Sequence, residues 1–391
     1  MSADPFAEIR PYHDGEVRPV LDRLLKDPEM LGVLARLRLP KLYSWAPGLL
    51  RPLLASMLKR QFAGVHNVRD FQAVVKLYMD RMIEERMSHF SVSGLDALDP
   101  SESYLFLSNH RDIALDPAFV NYALYHSGHD TVRIAIGDNL LSKPFAADLM
   151  RLNKSFIVPR SARGPRQMLA AYRKLSKYID HSIHEDRSSV WLAQREGRAK
   201  DGHDRTEPAV LKMLAMNQKG SELSFGEYMS RLRIVPVAIS YEWDPCDQAK
   251  AKELAARANG EYEKAEHEDL SSIAQGILGD KGRVHVSFGQ VMQGDWADAA
   301  ELARAVDEQV LGNYVLHASN LVAHSRLHPD SSVAHLPGDL PQRPVDLADA
   351  QAQFNERLAE LPETEQILLL NIYANVVEDK LNLVEATLNP C

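Results

Sequence analysis

The sequence predicts an α/β domain built around a mostly parallel sheet flanked by helices, with helical segments before and after it. Two observations lead there. From about residue 100, short β-rich runs (SYLFLSN, VRIAIG, KSFIVPR, SSVWLAQ, RLRIVPVAISY and RVHVSFG) alternate with helical stretches such as PRQMLAAYRKLSKYIDHSI, the pattern of strands joined by helical crossovers. On either side of that region, apolar residues recur at three- and four-residue spacing, as one buried helix face requires. The chain has 391 residues, enough to bury a large core. Its 45% hydrophobic and 25% charged content is ordinary for a soluble globular protein.

In chain order, residues 1–92 read as an N-terminal helical region. VRPVLDRLLKDPEMLGVLARLRL, APGLLRPLLASMLKRQF and NVRDFQAVVKLYMDRMIEERM each carry the helical period. Residues 93–327 hold the alternating runs and form the expected α/β domain. Residues 328–391 begin with HPDSSVAHLPGDLPQRPVDLAD, rich in Pro, Asp and Ser, which reads as a linker. The last helix expected is ILLLNIYANVVEDKLNLVEATL. No internal repeat is visible.

Cys246 and Cys391 are the two cysteines, too few for a disulfide framework, which fits a reducing compartment. The polar start MSADPFAEIRPYHDGE lacks the apolar core of a signal peptide, and no run approaches 18 apolar residues. A cytoplasmic protein is expected. The net charge of −9 is uneven: Asp295–Cys391 holds 16 acidic and 5 basic residues, whereas Lys41–Arg69 holds five basic residues and no acidic one. A basic stretch in an acidic protein needs a local explanation.

In a parallel sheet, sites gather at the carboxyl ends of strands, so the residues just after each β-run are informative. After SYLFLS comes NHRDIALD, after KSFIV comes PRSARGPR, and after SSVWLAQ comes REGRAKDG. Arg160, Arg163 and Arg166, with Arg195, Arg198 and Lys200, suit a phosphate, because guanidinium binds it bidentately at any working pH. A solvated basic face is the structural alternative. His110 suits a general base, with Asp116 or Asp112 as the carboxylate that orients its ring. The alternative is a structural histidine beside aspartates that cap the next helix. No GxSxG turn is present and neither cysteine has an evident histidine partner, so covalent catalysis lacks support. His126 and His129 have no further ligand at metal spacing, so no metal is expected. Neither GxGxxG nor GxxxxGK[ST] occurs.

Those strand ends, in that order, resemble the glycerolipid acyltransferase superfamily. The likeness is greatest to the membrane-associated bacterial glycerol-3-phosphate acyltransferases, and it covers roughly residues 95–325. HRDIALDPAFVNYALYHSG is similar to the family's His-x4-Asp block, KSFIVPRS to its Arg block and QREGRAKDG to its Glu-Gly block. RLRIVPVAISYEWDP, with RVHVSFGQVM downstream, is similar to the apolar block with a central Pro. The resemblance implies acyl transfer in phospholipid biosynthesis, from acyl-CoA or acyl carrier protein to a hydroxyl of glycerol 3-phosphate, with no cofactor and no nucleic acid. Lysophosphatidate is the alternative acceptor, and a non-catalytic lipid- or acyl-binding protein the lesser alternative. It implies His110 as base and Asp116 as its orienting carboxylate. Arg160 would bind the acceptor phosphate, Glu196, Gly197 and Arg198 would line its pocket, and Pro236 would shape the acyl-donor side. Two departures stand out. Five residues separate His110 from Asp116 rather than four, and Ala193, Gln194 and Arg195 replace the usual aromatic-x approach to Glu196, so Gln194 or Arg195 stands near the family glutamate's place.

Products of this reaction are amphiphiles, so a peripheral position on the inner face of the plasma membrane is expected. LYSWAPGLLRPLLASMLKRQFAGVHNVR supplies Tyr43, Trp45 and several leucines and, with Lys41, five basic groups, each contributing about 1 kcal/mol near an anionic surface. The alternative is a bundle helix with a few surface lysines.

Overall fold

In the computed structural model, residues 4–45, 47–141, 143–218, 221–265, 268–331 and 347–388 are described. They divide into two compact units, Met1–Asp80 with Val132–Tyr178, and Arg81–Thr131 with Ile179–Cys391. The span 93–327 is thus shared between the two.

The smaller unit starts with helices α1 (Asp14–Leu24), α2 (Pro28–Arg38), α3 (Pro40–Trp45), α4 (Pro47–Gln61) and α5 (Val68–Arg86), the last of which carries the chain out of it. Asp27 caps α2 by accepting from Glu29 N and Met30 N, and Pro28 sits at the first position, where no N–H is needed. Leu50, Leu54 and Leu58, one face of α4, pack with Val17, Leu21 and Phe71. Strands β3 (Arg133–Gly137) and β4 (Ser155–Val158) belong to this unit and pair in parallel. Between them lies α7 (Pro144–Leu152), whose Asp148 accepts from Tyr12 Oη at 2.6 Å and from Arg23 Nε and Nη2. Helix α8 (Pro165–His184) follows β4.

In the larger unit, strands β1 (His89–Ser93), β2 (Leu105–Ser108), β5 (Val190–Ala193), β6 (Ile234–Tyr241) and β7 (Arg283–Phe288) lie in the order β1-β7-β6-β2-β5. All neighbours are parallel except β6 and β7. Leu105 stands opposite both Val190 and Ile234, so β2, β5 and β6 start level, β2 and β5 end together, and β6 runs on to Tyr241. Every residue of β2 and β6 is buried, which is why both read as unbroken apolar runs rather than alternating ones. Helices α6 (Leu115–His126), α9 (Pro208–Leu214), α10 (Phe225–Arg231), α11 (Asp247–Ala258), α12 (Glu268–Leu278), α13 (Ala299–Asn313), α14 (Ala318–Leu327), α15 (Leu347–Leu358) and α16 (Glu363–Leu388) complete it. A second core joins Trp243 and Ala251 to Val322, Phe354, Leu369 and Tyr373.

The six β-runs read from the sequence are all strands, and the mostly parallel α/β class stands. One correction concerns β1, which falls within residues read as helical. HFSVS is short and half-exposed, with little apolar signal of its own, and only pairing with β7, 194 residues downstream at Phe90↔Val284, makes it a strand. Residues 332–346 of the expected linker, and Cys391, lie outside the described residues.

Candidate functional site

The site grows from the end of β2. Asn109 closes that strand onto β6, donating to Ile239 O at 3.0 Å and accepting from Ile239 N at 2.8 Å. The next residue, His110, leaves the sheet at the shared carboxyl end of β2 and β5, where open α/β sheets place ligands. Its Nδ1 lies 2.8 Å from Asp116 Oδ2. Asp116 is fully buried in the first turn of α6. Its Oδ2 also accepts from the amides of Arg111 at 2.6 Å and Asp112 at 3.0 Å, and its Oδ1 from Tyr241 Oη at 2.5 Å. Four partners on two oxygens leave the carboxylate one orientation. Burial first, then the charges of Asp116 and Asp112, pushes the Tyr241 phenol well above its ordinary range, so it remains a neutral donor.

The geometry distinguishes the two aspartates. Asp112 Oδ1 accepts from Ala114 N at 2.9 Å and Leu115 N at 2.8 Å, closing the turn that leads into α6. Burial raises its carboxyl, and the neighbouring Asp116 raises it further. Gly276 of α12 comes so close that a Cβ there would stand 2.1 Å from Asp112 Oδ2. Asp112 shapes the turn, and Asp116 meets the imidazole.

Behind the pair lies a buried polar layer. Arg111 Nη2 bonds Asp204 Oδ2 at 2.6 Å and Gly202 O at 3.0 Å. Burial opposes its charge but Asp204 outweighs that, raising the guanidinium above its usual range. Asn109 reaches the same Asp204 oxygen at 3.0 Å. The segment after β5 is tied to β2 by Gln194 N to Ser108 O and Ala199 N to His110 O, both 2.8 Å. Trp191 packs edge-on to the imidazole, with centroids 5.6 Å apart. The Gln194 side chain is fully buried, and neither of its polar atoms has a hydrogen-bond partner among the described residues. Such a group is costly unless something else meets it.

The other sequence-derived residues are more widely spread. Glu196 is exposed. Gly197, at φ +76°, makes a left-handed turn with open space where a Cβ would stand. Arg198 reaches Ser272 Oγ at 3.4 Å and, with Lys250, Lys252, Glu253 and Tyr262, lines a cavity of about 330 Å³. Lys200 is paired with Glu253; burial lowers its ammonium and Glu253 opposes the shift. Pro236 is buried in β6 opposite Leu107. Arg160, Arg163 and Arg166 belong to the smaller unit and are exposed. There the Arg160 and Ser161 amides donate to Asp138 at 3.1 and 3.0 Å. His126 packs on Tyr122 with centroids 4.3 Å apart. Burial pushes the Cys246 thiol up to about 12, so it is no thiolate nucleophile. Asn109, Asp204 and Tyr241 are not singled out by the sequence. Asp204 and Tyr241 lie 88 and 125 residues beyond Asp116, and an unaligned sequence carries no signal of that proximity.

The Acyltransferase family model matches residues 89–240, from the start of β1 into the end of β6. Over this segment the chain is similar to acyltransferases. The His110–Asp116 pair lies within it. No curated protein matches the chain. Among solved structures, the 1-acyl-sn-glycerophosphate acyltransferase PlsC from Thermotoga maritima is similar at 11% identity and a TM-score of 0.37, over 62% of this chain and 78% of that one. At that identity and score the likeness decides nothing about the substrate. The matched segment therefore presents an oriented imidazole, a buried carboxylate behind it and a cationic strand-end loop.

Proposed function

We propose that the chain moves a fatty acyl group from an acyl thioester, acyl-CoA or acyl carrier protein, to a hydroxyl of glycerol 3-phosphate. The observation that carries this reading is the 2.8 Å bond between His110 Nδ1 and Asp116 Oδ2, set within a segment similar to acyltransferases. With Nδ1–H given to the carboxylate, the ring lone pair lies on Nε2, where it takes the acceptor's hydroxyl proton. The oxygen attacks the thioester carbonyl, the tetrahedral intermediate collapses, and the C–S bond breaks. The leaving thiolate recovers the proton from the imidazolium, so ester and free thiol are the products and no acyl-enzyme forms. Asp116 stabilises the imidazolium while it exists. In this reading Glu196, Gly197, Arg198 and Lys200 line the acceptor's side and Pro236 the acyl-donor side of the larger unit, and Arg160 and Arg163 of the smaller unit are candidates for binding phosphate. Glycerol 3-phosphate is favoured over lysophosphatidate by the resemblance of VPVAISYEWDP and HVSFGQ to the glycerol-3-phosphate group.

The reaction is proposed to run at an anionic membrane surface. Trp45, Leu49, Leu53 and Met57 are 90%, 75%, 66% and 45% exposed, a solvent-facing apolar stripe at four-residue spacing on α3 and α4. Arg51, Lys59 and Arg60 accompany it. That combination suits interfacial binding. No helix among the described residues is long and apolar enough to cross a membrane.

The test is thiol release from palmitoyl-CoA and from palmitoyl-acyl carrier protein, with glycerol 3-phosphate, lysophosphatidate or no acceptor. Turnover with glycerol 3-phosphate is expected, falling ~10²–10⁴-fold in His110→Ala. Turnover with lysophosphatidate alone would keep the mechanism and change the acceptor. No acceptor-dependent release from either donor would overturn the reading and leave a lipid- or acyl-binding protein.

A further inference from the structure

Far along the chain from the acyltransferase motifs, HSRLH places His324 and His328 one helical turn apart, at the end of α14 and its C-cap. A four-residue interval puts two side chains on one face of a helix, and the two rings lie 4.8 Å apart, centroid to centroid. Glu378 of α16 faces both. Its Oε1 meets His324 Nε2 in a short contact and lies 3.8 Å from His328 Nε2. One ligand atom from each residue falls within 4.8 Å of the other two. We propose that His324, His328 and Glu378 form a binding site for a borderline divalent transition ion, with Zn²⁺ the best fit.

Three features argue for an ion rather than a simple ion pair. One carboxylate oxygen and two imidazole nitrogens converge on one place, an arrangement in which a single ion can take a lone pair from each of the three. The His324 side chain is fully buried and its Nδ1 has no hydrogen-bond partner among the described residues, so the polar contact of this buried ring runs through Nε2, the atom that faces the proposed ion. Glu378 and His328 are 37% and 45% exposed, which leaves an entry path and a side for a bound water. Two imidazoles and one carboxylate form the donor set of open four-coordinate zinc sites. They suit Zn²⁺, Co²⁺ or Ni²⁺ better than Ca²⁺ or Mg²⁺, which favour all-oxygen shells. Sequence alone raises the metal question only for His126 and His129, since nothing local ties HSRLH to Glu378.

The placement suggests what the ion does. The turn of α16 that carries Glu378 also binds the loop beside His110. Asn375 Nδ2 donates to Asp201 O at 2.8 Å, and Asp379 Oδ2 lies 2.8 Å from His203 Nδ1. Gly202, at φ +90°, comes so close that a Cβ would stand 2.4 Å from Ile372 O. Fastening α14 to α16 therefore stiffens the support of Asp204 and, through it, Arg111. The role is structural, and the proposal does not depend on which acceptor the enzyme uses.

The experiment strips the full-length protein with chelator and titrates it with Co²⁺ and Zn²⁺ separately. Uptake is followed by visible absorption for Co²⁺ and by equilibrium dialysis for Zn²⁺, and Tm is measured at each metal concentration. One equivalent per chain is expected, with the intense visible bands of four-coordinate Co²⁺ and a rise in Tm on Zn²⁺ addition. Glu378→Gln and His328→Ala, both at partly exposed positions, are expected to keep the metal-free Tm near that of the parent. Each should weaken binding by at least ~10-fold and lose the Tm response. Absence of stoichiometric uptake at micromolar metal, or uptake that both variants retain unchanged, would overturn the proposal.

Discussion

Asp116 illustrates how a single residue is held. Its carboxylate has partners in the His110 ring, two backbone amides and the Tyr241 hydroxyl, and each removal has a distinct expected effect. Asp116→Asn keeps the volume but loses the charge that steadies an imidazolium. Its kcat is expected to fall ~10²–10⁴-fold with KM for the thioester little changed; a change confined to KM would reassign it. Tyr241→Phe removes a hydrogen bond to a buried charged group, an expected loss of ~1.5–3 kcal/mol of stability by urea titration. Two buried histidines make the fold sensitive to acid. Burial pushes His317 down to about 3 and His285 to about 4, both below the ordinary 6.5. Between pH 6.5 and those values the unfolded chain takes up protons that the fold does not. Stability is thus unaffected above pH 6.5 and falls as pH drops, by up to ~1.4 kcal/mol per pH unit for each histidine. Asp307, pushed up to about 6 by burial, works in the opposite sense between pH 6 and its ordinary value. His317→Phe is therefore compared with the parent by urea titration from pH 7 to 4.5. Its stability is expected to decline less steeply, and parallel curves would sink this assignment.

Helix α4 shows how an element can bear apolar residues on two faces for different reasons. Leu50, Leu54 and Leu58 are buried in the helical core, and Leu49, Leu53 and Met57 face solvent. Truncation on the first face leaves a cavity, so Leu54→Ala is expected to cost ~2–5 kcal/mol by chemical denaturation. Charge on the second face is expected to leave Tm nearly unchanged, because Leu49→Glu with Leu53→Glu alters side chains already in water. The same pair should abolish co-flotation with anionic liposomes that the parent shows. Flotation unchanged by the double substitution would remove α4 from the membrane reading. The sequence displayed the helical period here but not which leucines are covered, because both rows repeat every four residues. At β1 it displayed neither, since HFSVS becomes a strand only beside β7.

For the whole molecule, the C-terminal helix is part of the larger unit's core. Leu369, Tyr373 and Ala374 of α16 join Trp243 and Phe354 in one cluster, and Tyr373 Oη donates to Asp247 Oδ2 at 2.7 Å and accepts from Asp244 N at 2.9 Å. Removing residues 363–391 is expected to yield insoluble or ANS-binding protein rather than a trimmed enzyme; a soluble, cooperatively unfolding truncate would contradict this. By itself the sequence determined the α/β class, six of the seven described strands, and the residues around His110, because strand–helix alternation and a polar strand end are local patterns. It also narrowed the carboxylate to two aspartates four residues apart. Which of them meets the imidazole, the Tyr241 and Asp204 partners, the pairing of Lys200 with Glu253 and the meeting of HSRLH with Glu378 were decided only by tertiary structure. Each depends on a hydrogen bond or approach of a few ångströms, between residues up to 125 positions apart in the case of Asp116 and Tyr241, and no short-range pattern encodes such a distance.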